Sequence, residues 1–240
     1  KENKKILIYS DYDADGIPGA VILSDFFKKI GFENFLVHIP NRLREGYGLK
    51  VKTIEKLKEK NIDLIVTIDG GITDVEPVKK AKELGVDVII TDHHMVNGEL
   101  PPADVILNSK QEDDNYPDDM LCGAGVAFKL VLALIEKGDF NSLPTGRQVE
   151  KGWEKWLLDM VGLATVADMV PLKNENRVLA HYGLIVLRKS RRPGLQKLFR
   201  KAWIKQHQLV EEDISFMIAP RINAASRVSD PRIAFDLLST

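Results

Sequence analysis

Cysteine is almost absent from this chain of 240 residues. The single cysteine, Cys122, cannot form an intramolecular disulfide and leaves no thiolates for a cysteine-rich zinc site. The sequence also has no apolar run long enough to cross a bilayer, and its opening Lys-Glu-Asn-Lys-Lys leads into a predicted strand rather than a signal-peptide core. These absences predict a protein of a reducing, cytoplasmic compartment with no membrane partner.

An excess of charge of either sign is missing as well. The 34 Lys and Arg residues nearly balance the 35 Asp and Glu residues, so composition alone does not indicate a nucleic-acid binder. The cations are unevenly placed, because residues 177–207 contain nine Lys or Arg and no Asp or Glu. We predict a local cationic surface there, with Arg191 and Arg192 contacting a nucleic-acid strand. An ordinary solvated helix face is the alternative.

Apolar, β-branched runs alternate with helical patterns over the first half of the chain. Strands are predicted at 6–10, 35–39, 62–68, 86–91 and 105–107, and helices at 18–30, 51–60 and 75–84. This alternation predicts an α/β fold with a doubly wound, mostly parallel sheet and right-handed crossovers.

The second half is predicted to be mainly helical. Helices are expected at 126–135, 153–163, 178–187, 194–205 and 212–218, with loops at 138–152 and 219–227. We expect residues 1–122 to form a metal-binding α/β subdomain and residues 123–240 a helical lobe of the same domain. The helix predicted from Pro231 is still running at Thr240, so we expect the chain to be cut short of a further domain.

Carboxylates and imidazoles follow three of the predicted strands. Asp11 and Asp13 come after the first strand, Asp69 after the third, and His93 with His94 after the fourth. Ligands bind at the carboxyl ends of parallel strands, and like charges held close together are costly unless a cation neutralises them. Carboxylates with imidazole and no thiolate suit Mn²⁺ or Mg²⁺, and this many ligands predicts two ions. Ordinary turn carboxylates and core histidines are the alternative.

Such a pair of ions predicts hydrolytic chemistry. Two metals lower the pKa of a bridging water and stabilise charge on a phosphoryl group, and Asp69, from a central strand, is the natural bridge. Because adjacent residues of an extended chain point in different directions, one of His93 and His94 is expected to bind metal. The other is then free to contact the phosphate or assist the leaving group.

Three other stretches are candidates for the same site. Asp168 lies in an apolar setting and needs a partner, which the metals would supply. Residues 123–125, Gly-Ala-Gly, begin a predicted helix. Either the N-terminus of this helix approaches an anion, or the small glycines let the helix pack closely against its neighbours. The loop at 40–48, with Arg42 and Tyr47, either grips a phosphate and stacks a base or is a plain surface loop.

Six motifs in a fixed order resemble the DHH phosphoesterase superfamily. They are Asp11-Tyr12-Asp13-Ala14-Asp15-Gly16, Thr67-Ile68-Asp69-Gly70-Gly71, Asp92-His93-His94, Gly123-Ala124-Gly125, Ala167-Asp168-Met169-Val170-Pro171-Leu172 and Pro220-Arg221-Ile222-Asn223-Ala224-Ala225. The match covers nearly the whole chain and is greatest to the members that degrade single-stranded DNA. The resemblance implies a hydrolase, a 5′→3′ exonuclease of DNA repair and recombination that uses Mn²⁺ or Mg²⁺.

The resemblance also implies a role for individual residues. The implied metal ligands are Asp11, Asp13, Asp69, His93 and Asp168, with Asp69 bridging and His94 facing the scissile phosphate. Asp15 and Asp92 would orient these ligands. The implied contacts to the substrate are Arg42, Tyr47, Arg221, Asn223 and Arg227.

Three departures from the superfamily pattern carry their own expectations. Tyr9 stands where many members have His, which predicts weaker binding of one metal ion. Ser226 stands where Gly is usual, which predicts an altered approach of the backbone to the phosphate. The resemblance implies a substrate-binding domain beyond Thr240, and we expect affinity and processivity to depend on it. Two alternative functions remain: another DHH phosphoesterase acting on nanoRNA, cyclic dinucleotides or small phosphates, or a non-catalytic DNA-binding relative from replication.

Overall fold

A parallel sheet of five strands forms the centre of the computed structural model, which describes residues 4–138 and 149–240. The strands are β1 (Ile6–Ser10), β2 (Phe35–His38), β3 (Leu64–Ile68), β4 (Asp87–Thr91) and β5 (Val105–Leu107). They lie in the order β2-β1-β3-β4-β5, and every neighbouring pair is parallel. The predicted α/β fold with a mostly parallel sheet is therefore confirmed.

Helices cover both faces of the sheet because successive strand residues point to opposite sides. On one face, Leu7 and Ile65 are buried against α2 (Val51–Glu59) and α3 (Val75–Glu83). On the other face, Ile8 and Val66 are buried against α1 (Gly16–Lys29). Complete burial of one such side chain stabilises the fold by roughly 1.5–3 kcal/mol. Burial in the two cores therefore holds a layer of helices against each face of the sheet.

The helices of the second half pack into the same core as α1. They are α4 (Gly123–Lys137), α5 (Leu158–Ala167), α6 (Asn174–Leu187), α7 (Pro193–Lys201), α9 (Ala219–Val228) and α10 (Arg232–Leu238). The three-residue α8 (Glu211–Asp213) buries none of its side chains. A 3₁₀ turn, Trp153–Leu157, precedes α5. Of the predicted loop at 138–152, residues 139–148 lie outside the described residues. Within the described ranges, no helix is long and apolar enough to cross a membrane.

The predicted loop at 219–227 is wrong, because these residues form α9. Pro220 lacks an amide proton and its ring crowds the preceding turn, so proline predicts an interruption there. The chain accommodates it by widening the turn before it into a π-helix, Ile214–Ile218, after which α9 continues. The last helix also differs from expectation, since α10 ends at Leu238 instead of running on to Thr240.

Candidate metal centre

The candidate ligands converge where the strand order reverses, at the carboxyl ends of the central strands. Asp11 follows β1, Asp69 follows β3 and His93 follows β4. Side-chain atoms of three groups each lie within 4.8 Å of one another. The groups are Asp11 with Asp13 and Asp69, Asp69 with His93 and His94, and Asp15 with His93 and Asp168. Asp69 and His93 each belong to two groups, so the donors form one continuous cluster.

His93 is the buried imidazole of this cluster. Its Nε2 atom lies 3.1 Å from Oδ1 of Asp69 and 3.6 Å from Oδ2 of Asp15, and its Nδ1 atom lies 3.8 Å from Oδ2 of Asp168. Burial, followed by the charge of His94, lowers the pKa of His93 to about 4. The ring is therefore neutral at physiological pH, which is the form that binds metal ions.

Two carboxylates of the cluster have buried oxygens that no donor satisfies. Oδ1 of Asp11 and Oδ1 of Asp69 accept no hydrogen bond within the described part of the chain, and the 3.1 Å approach of His93 Nε2 to Oδ1 of Asp69 lacks hydrogen-bond geometry. Burial, with a smaller contribution from Asp13, raises the pKa of Asp11 to about 7. Burial and the neighbouring carboxylates, Asp15 first, raise the pKa of Asp69 well above its ordinary value. A divalent cation would supply the missing partner for these oxygens, and the oxygen and imidazole donors fit Mn²⁺ or Mg²⁺.

Asp13 and Asp168 join the cluster from the ends of two helices. Oδ1 of Asp13 accepts hydrogen bonds from the amides of Asp15 and Gly16 at 2.9 and 3.0 Å, in the first turn of α1. Asp168 follows the last residue of α5, and burial, with the charge of Asp13, raises its pKa to about 6. The start of α1 and the end of α5 therefore meet at the cluster.

Asp15 is the carboxyl group that the start of α4 approaches. Its carboxylate accepts hydrogen bonds from the amides of Gly123 at 2.6 Å and Ala124 at 2.7 Å. Burial, then the charges of Asp168 and Asp13, raise the pKa of Asp15 to about 8. Close packing occurs at the same place, since Gly123 lies against Asp69.

Asp92 fixes the conformation around the two histidines. Its carboxylate accepts hydrogen bonds from the amides of Ile72, His93 and His94 and lies 2.7 Å from Nδ1 of His94. Burial acts to raise the pKa of Asp92, but these hydrogen bonds outweigh it and lower the pKa. The hydrogen bond between the Asp92 carboxylate and Nδ1 of His94 raises the pKa of His94. With Nδ1 of His94 bound to Asp92, Nε2 is the nitrogen left for another partner.

The residues expected to contact substrate differ in where the structure places them. The guanidinium of Arg42 lies 5.6 Å from the centre of the Tyr12 ring, beside the cluster. Burial raises the pKa of the Tyr12 hydroxyl, and the charges of Arg42 and Arg227 oppose that shift. The ring of Tyr47 meets His94 edge-on with 6.2 Å between centroids. Arg42 and Tyr47 thus lie beside the cluster, and Arg227 lies near enough to Tyr12 for its charge to act there.

Asn223 and Arg221 of α9 make contacts within the protein itself. Oδ1 of Asn223 accepts a hydrogen bond from the amide of Ala14 at 2.8 Å, which ties α9 to the loop that carries Asp13. Arg221 donates from Nη1 to the carbonyl of Met217 at 2.6 Å, one turn earlier in its own helical segment. The structure thus joins Asn223 to the site directly, whereas the recorded contact of Arg221 is local.

The two residues that depart from the superfamily pattern are both held within the protein. The Tyr9 hydroxyl donates to the carbonyl of Gly48 at 3.0 Å. Ser226 is buried, and its hydroxyl donates to the carbonyl of Asn223 at 2.9 Å. Each side chain is therefore committed to a structural contact.

Two residues that support the histidines were missed by reasoning from the sequence. Nδ2 of Asn108 donates to the carbonyl of His94 at 2.9 Å, and Nζ of Lys110 donates to the carbonyl of His93 at 2.5 Å. Both follow β5, so the rule that points to the carboxyl ends of parallel strands would have found them. They fix the main chain from which both imidazoles project.

The predicted contact of Arg192 with a nucleic-acid strand is wrong. Its guanidinium is largely buried and lies 2.8 Å from both Oδ2 of Asp25 and Oδ2 of Asp159. Arg191, in contrast, is exposed. A count of charges along a segment does not show which side chains are buried. Here Arg192 is buried and connects α1, α5 and the start of α7.

A parallel sheet with carboxylates and paired histidines at its carboxyl edge defines a class of phosphoesterase domain. Residues 5–165 match the model of the DHH family, N-terminal domain, and the chain belongs to this family. Within it, the chain is 40% identical over 237 residues to the single-stranded-DNA-specific exonuclease RecJ of Bacillus subtilis, covering 99% of this chain and 28% of that protein. It is 37% identical over 243 residues to RecJ of Salmonella typhimurium, covering 99% of this chain and 41% of that protein.

The fold is also similar to solved structures of RecJ. A crystal structure of exonuclease RecJ bound to manganese superposes with a TM-score of 0.84 at 34% identity, covering 99% of this chain and 57% of that one. The present chain thus spans between 28% and 57% of the length of these relatives. The family and the fold implied by the sequence motifs are confirmed.

Proposed function

We propose that this chain is the catalytic part of a metal-dependent phosphodiesterase that removes nucleotides from the 5′ end of single-stranded DNA. The relatives with 36 to 40% identity are single-stranded-DNA-specific RecJ exonucleases, and two of the solved RecJ structures contain Mn²⁺. This proposal extends their activity to a chain that carries the whole set of candidate ligands.

The observation that carries the proposal is the pair of unsatisfied oxygens on Asp11 and Asp69. Both are buried, and both lie in a cluster whose members raise one another's pKa. In water-excluded surroundings such an arrangement is costly, and a cation removes the cost. A carboxylate cluster without a cation function would be expected to satisfy its oxygens with nearby amides, as Asp15 and Asp92 do.

Five side chains are proposed to hold two ions of Mn²⁺ or Mg²⁺. They are Asp11, Asp13, Asp69, His93 and Asp168, with Asp69 shared because it belongs to two of the ligand groups. When bound, such ions lower the pKa of a coordinated water and offset negative charge on the phosphate. Neutral His93 is suited to this set because burial lowers its pKa to about 4.

His94 is proposed to act on the phosphate or on the leaving group. Its hydrogen bond to Asp92 raises its pKa, so its ring is protonated over a higher pH range than an ordinary histidine. Asp92 fixes the ring through Nδ1, which leaves Nε2 to donate a hydrogen bond or a proton. His94 is about half exposed, so a substrate can reach it.

Arg42 and Arg227 are proposed to bind the phosphates of the substrate. Both lie close enough to Tyr12 for their charges to act on its hydroxyl, and Tyr12 lies between Asp11 and Asp13. Tyr47, against His94, offers a ring on which a base can stack. We include Asn223 and Arg221 in the substrate-contacting set as the resemblance implies, with Asn223 acting through the loop at Ala14.

The test is Mn²⁺-dependent release of nucleotides from 5′-phosphorylated single-stranded DNA. Asp69→Asn should abolish release and keep the fold, because Asn tolerates the left-handed backbone that Asp69 adopts at φ 59. Asp119→Asn, at an exposed carboxylate, is the matched control and should retain full activity. Activity of Asp69→Asn near that of the control would refute the assignment.

The choice of substrate separates this function from its alternatives. Strands labelled at the 5′ or the 3′ end report the direction of digestion, and DNA and RNA strands report the preferred sugar. Preferential cleavage of dinucleotides or pyrophosphate over long strands would favour another DHH phosphoesterase. DNA binding without bound Mn²⁺ or cleavage would favour the non-catalytic relative.

A further inference from the structure

An exposed tryptophan stands in a strained backbone conformation just beyond α7. Trp203 has φ 58 and is 94% exposed. The equivalent position, two residues beyond the helix, is Gly31 after α1, Asn61 after α2 and Gly85 after α3. Glycine and asparagine adopt left-handed backbone at little cost, whereas a bulky residue does not. Neither backbone preference nor burial accounts for a tryptophan here.

Three cationic side chains stand beside this ring. Lys197, Arg200 and Lys201 line a surface cavity of about 580 Å³ together with Trp203. The apolar side chains of α7 are buried on its other side, so these cations face solvent. In the parts of the chain that the structure describes, none of the three forms a salt bridge with a carboxylate. We call these four residues the Trp203 patch.

The Trp203 patch is separate from the candidate metal centre. The N-terminus of α7 is held by Arg192, which binds Asp25 in the second half of α1 and Asp159 in the first turn of α5. The metal cluster lies at the other ends of these two helices. Just beyond Trp203, Nε2 of Gln206 donates to the carbonyls of Leu187 and Ser190, and the Ser190 hydroxyl binds Asp159, so this end of α7 also lies on the side away from the cluster. A strand that reaches both places therefore spans roughly the length of α5, about 15 Å for its ten residues.

We propose that the Trp203 patch is an accessory binding site for single-stranded nucleic acid. The indole ring would stack on a base while Lys197, Arg200 and Lys201 contact the flanking phosphates. The positive charges of the three cations favour binding of a polyanion. The exposed indole ring favours a polyanion with flat, unpaired bases, which is a single-stranded nucleic acid. The inference rests on the proposed function in one respect, since it assigns the patch to a strand whose 5′ end lies at the metal cluster.

The test compares binding of long and short strands in EDTA, where no cleavage occurs. Fluorescence anisotropy of thymidine strands of about 20 and about four nucleotides should show that Trp203→Gly weakens binding of the long strand about tenfold and leaves the short strand unchanged. The same variant should unfold at a higher temperature than the parent, because glycine relieves the left-handed strain. Weaker binding of the long strand by a variant that is more stable than the parent would show that Trp203 binds the strand and does not act by stabilising the fold.

The cations are tested through the salt dependence of the same binding. Replacing Lys197, Arg200 and Lys201 together by Gln should reduce the slope of log K against log salt by about 2, since each phosphate contact on a single strand contributes about 0.7. Two matched controls should bind as the parent does: Tyr182→Ala, at a half-exposed ring on α6, and a triple Gln variant of Lys56, Lys58 and Lys60, which are exposed at the end of α2.

Parental affinity of Trp203→Gly for the long strand would overturn the proposal, whatever the triple variant does. An equal loss for both strand lengths would overturn it too, because the patch would then not act on a remote part of the strand. These outcomes are independent of hydrolysis. Weakened binding by Trp203→Gly in a chain that cleaves nothing with Mn²⁺ would support the Trp203 patch and refute the proposed activity.

Discussion

Gly123 lies so close to Asp69 that a Cβ atom at position 123 would stand 2.6 Å from Cβ and 2.7 Å from Oδ1 of Asp69. The amide of the same glycine donates a hydrogen bond to Asp15. One residue at the start of α4 therefore fixes two carboxylates of the cluster, one by contact and one by hydrogen bonding.

Gly123→Ala is expected to impair both metal binding and folding. The added methyl group must displace Asp69, which we expect to weaken Mn²⁺ affinity at least about tenfold, while overpacking costs about 1–3 kcal/mol of stability. Calorimetric titration with Mn²⁺ and urea unfolding measure the two effects. Gly125→Ala is the control, because its Cβ would have its nearest neighbour at an ordinary 3.5 Å. Equal Mn²⁺ affinity in both variants would contradict the described geometry.

Asp15→Ala is expected to destabilise the fold through the start of α4. The substitution leaves the amides of Gly123 and Ala124 without their buried acceptor, at a cost of roughly 1–3 kcal/mol. Asp15→Asn keeps one acceptor oxygen, so its free energy of unfolding in urea should lie between those of the parent and Asp15→Ala. An unchanged unfolding free energy for Asp15→Ala would show that these hydrogen bonds do not hold α4 in place.

The metal-free chain is expected to lose stability as the pH rises from about 5 to about 8. Burial and neighbouring charges raise the pKa of Asp168 to about 6, of Asp11 to about 7 and of Asp15 to about 8. Unfolded aspartates titrate near 3.9, so in this range the folded chain holds protons that the unfolded chain has released. His93, whose pKa is lowered to about 4, opposes this trend below about pH 6.5, but the three carboxyl groups outnumber it, so raising the pH favours unfolding.

Urea unfolding in EDTA at a series of pH values measures this trend. Asp11→Asn should reduce the slope, and the exposed control Asp119→Asn should keep it. Saturating Mn²⁺ should stabilise the chain most at the alkaline end, because the ions replace protons on the carboxylates. A metal-free stability that rises with pH would contradict the pKa shifts.

Arg192→Ala is expected to destabilise the protein far more than Arg191→Ala. Removal of Arg192 leaves the carboxylates of Asp25 and Asp159 without their shared partner, at a cost of roughly 3–5 kcal/mol. Arg191→Ala, at an exposed side chain, should change the free energy of unfolding by no more than about 0.5 kcal/mol. Thermal or urea unfolding of the two variants makes the comparison, and similar losses would mean that the Arg192 contacts contribute little.

The parallel sheet and the position of the cluster were predictable from the sequence for one physical reason. Buried parallel strands are apolar throughout and end abruptly, so Asp11, Asp69 and His93 could each be assigned to a strand end. The ends of neighbouring parallel strands share one edge of the sheet, so side chains distant along the chain were expected to meet there.

The features that sequence reasoning missed depend on contacts that no local pattern encodes. Pro220 predicts a break, but the preceding π-turn absorbs it and α9 continues. The binding of Asp15 to the start of α4, and of Arg192 to Asp25 and Asp159, joins segments more than 30 residues apart. Only the packed fold decides which charged side chains turn inward.

Anomalous diffraction from crystals of the 240-residue chain soaked in Mn²⁺ tests the central claim most directly. We expect two manganese peaks among Asp11, Asp13, Asp69, His93 and Asp168, with the Asp69 carboxylate shared between them. Manganese peaks only at other positions, with the buried oxygens of Asp11 and Asp69 still without a partner, would contradict it.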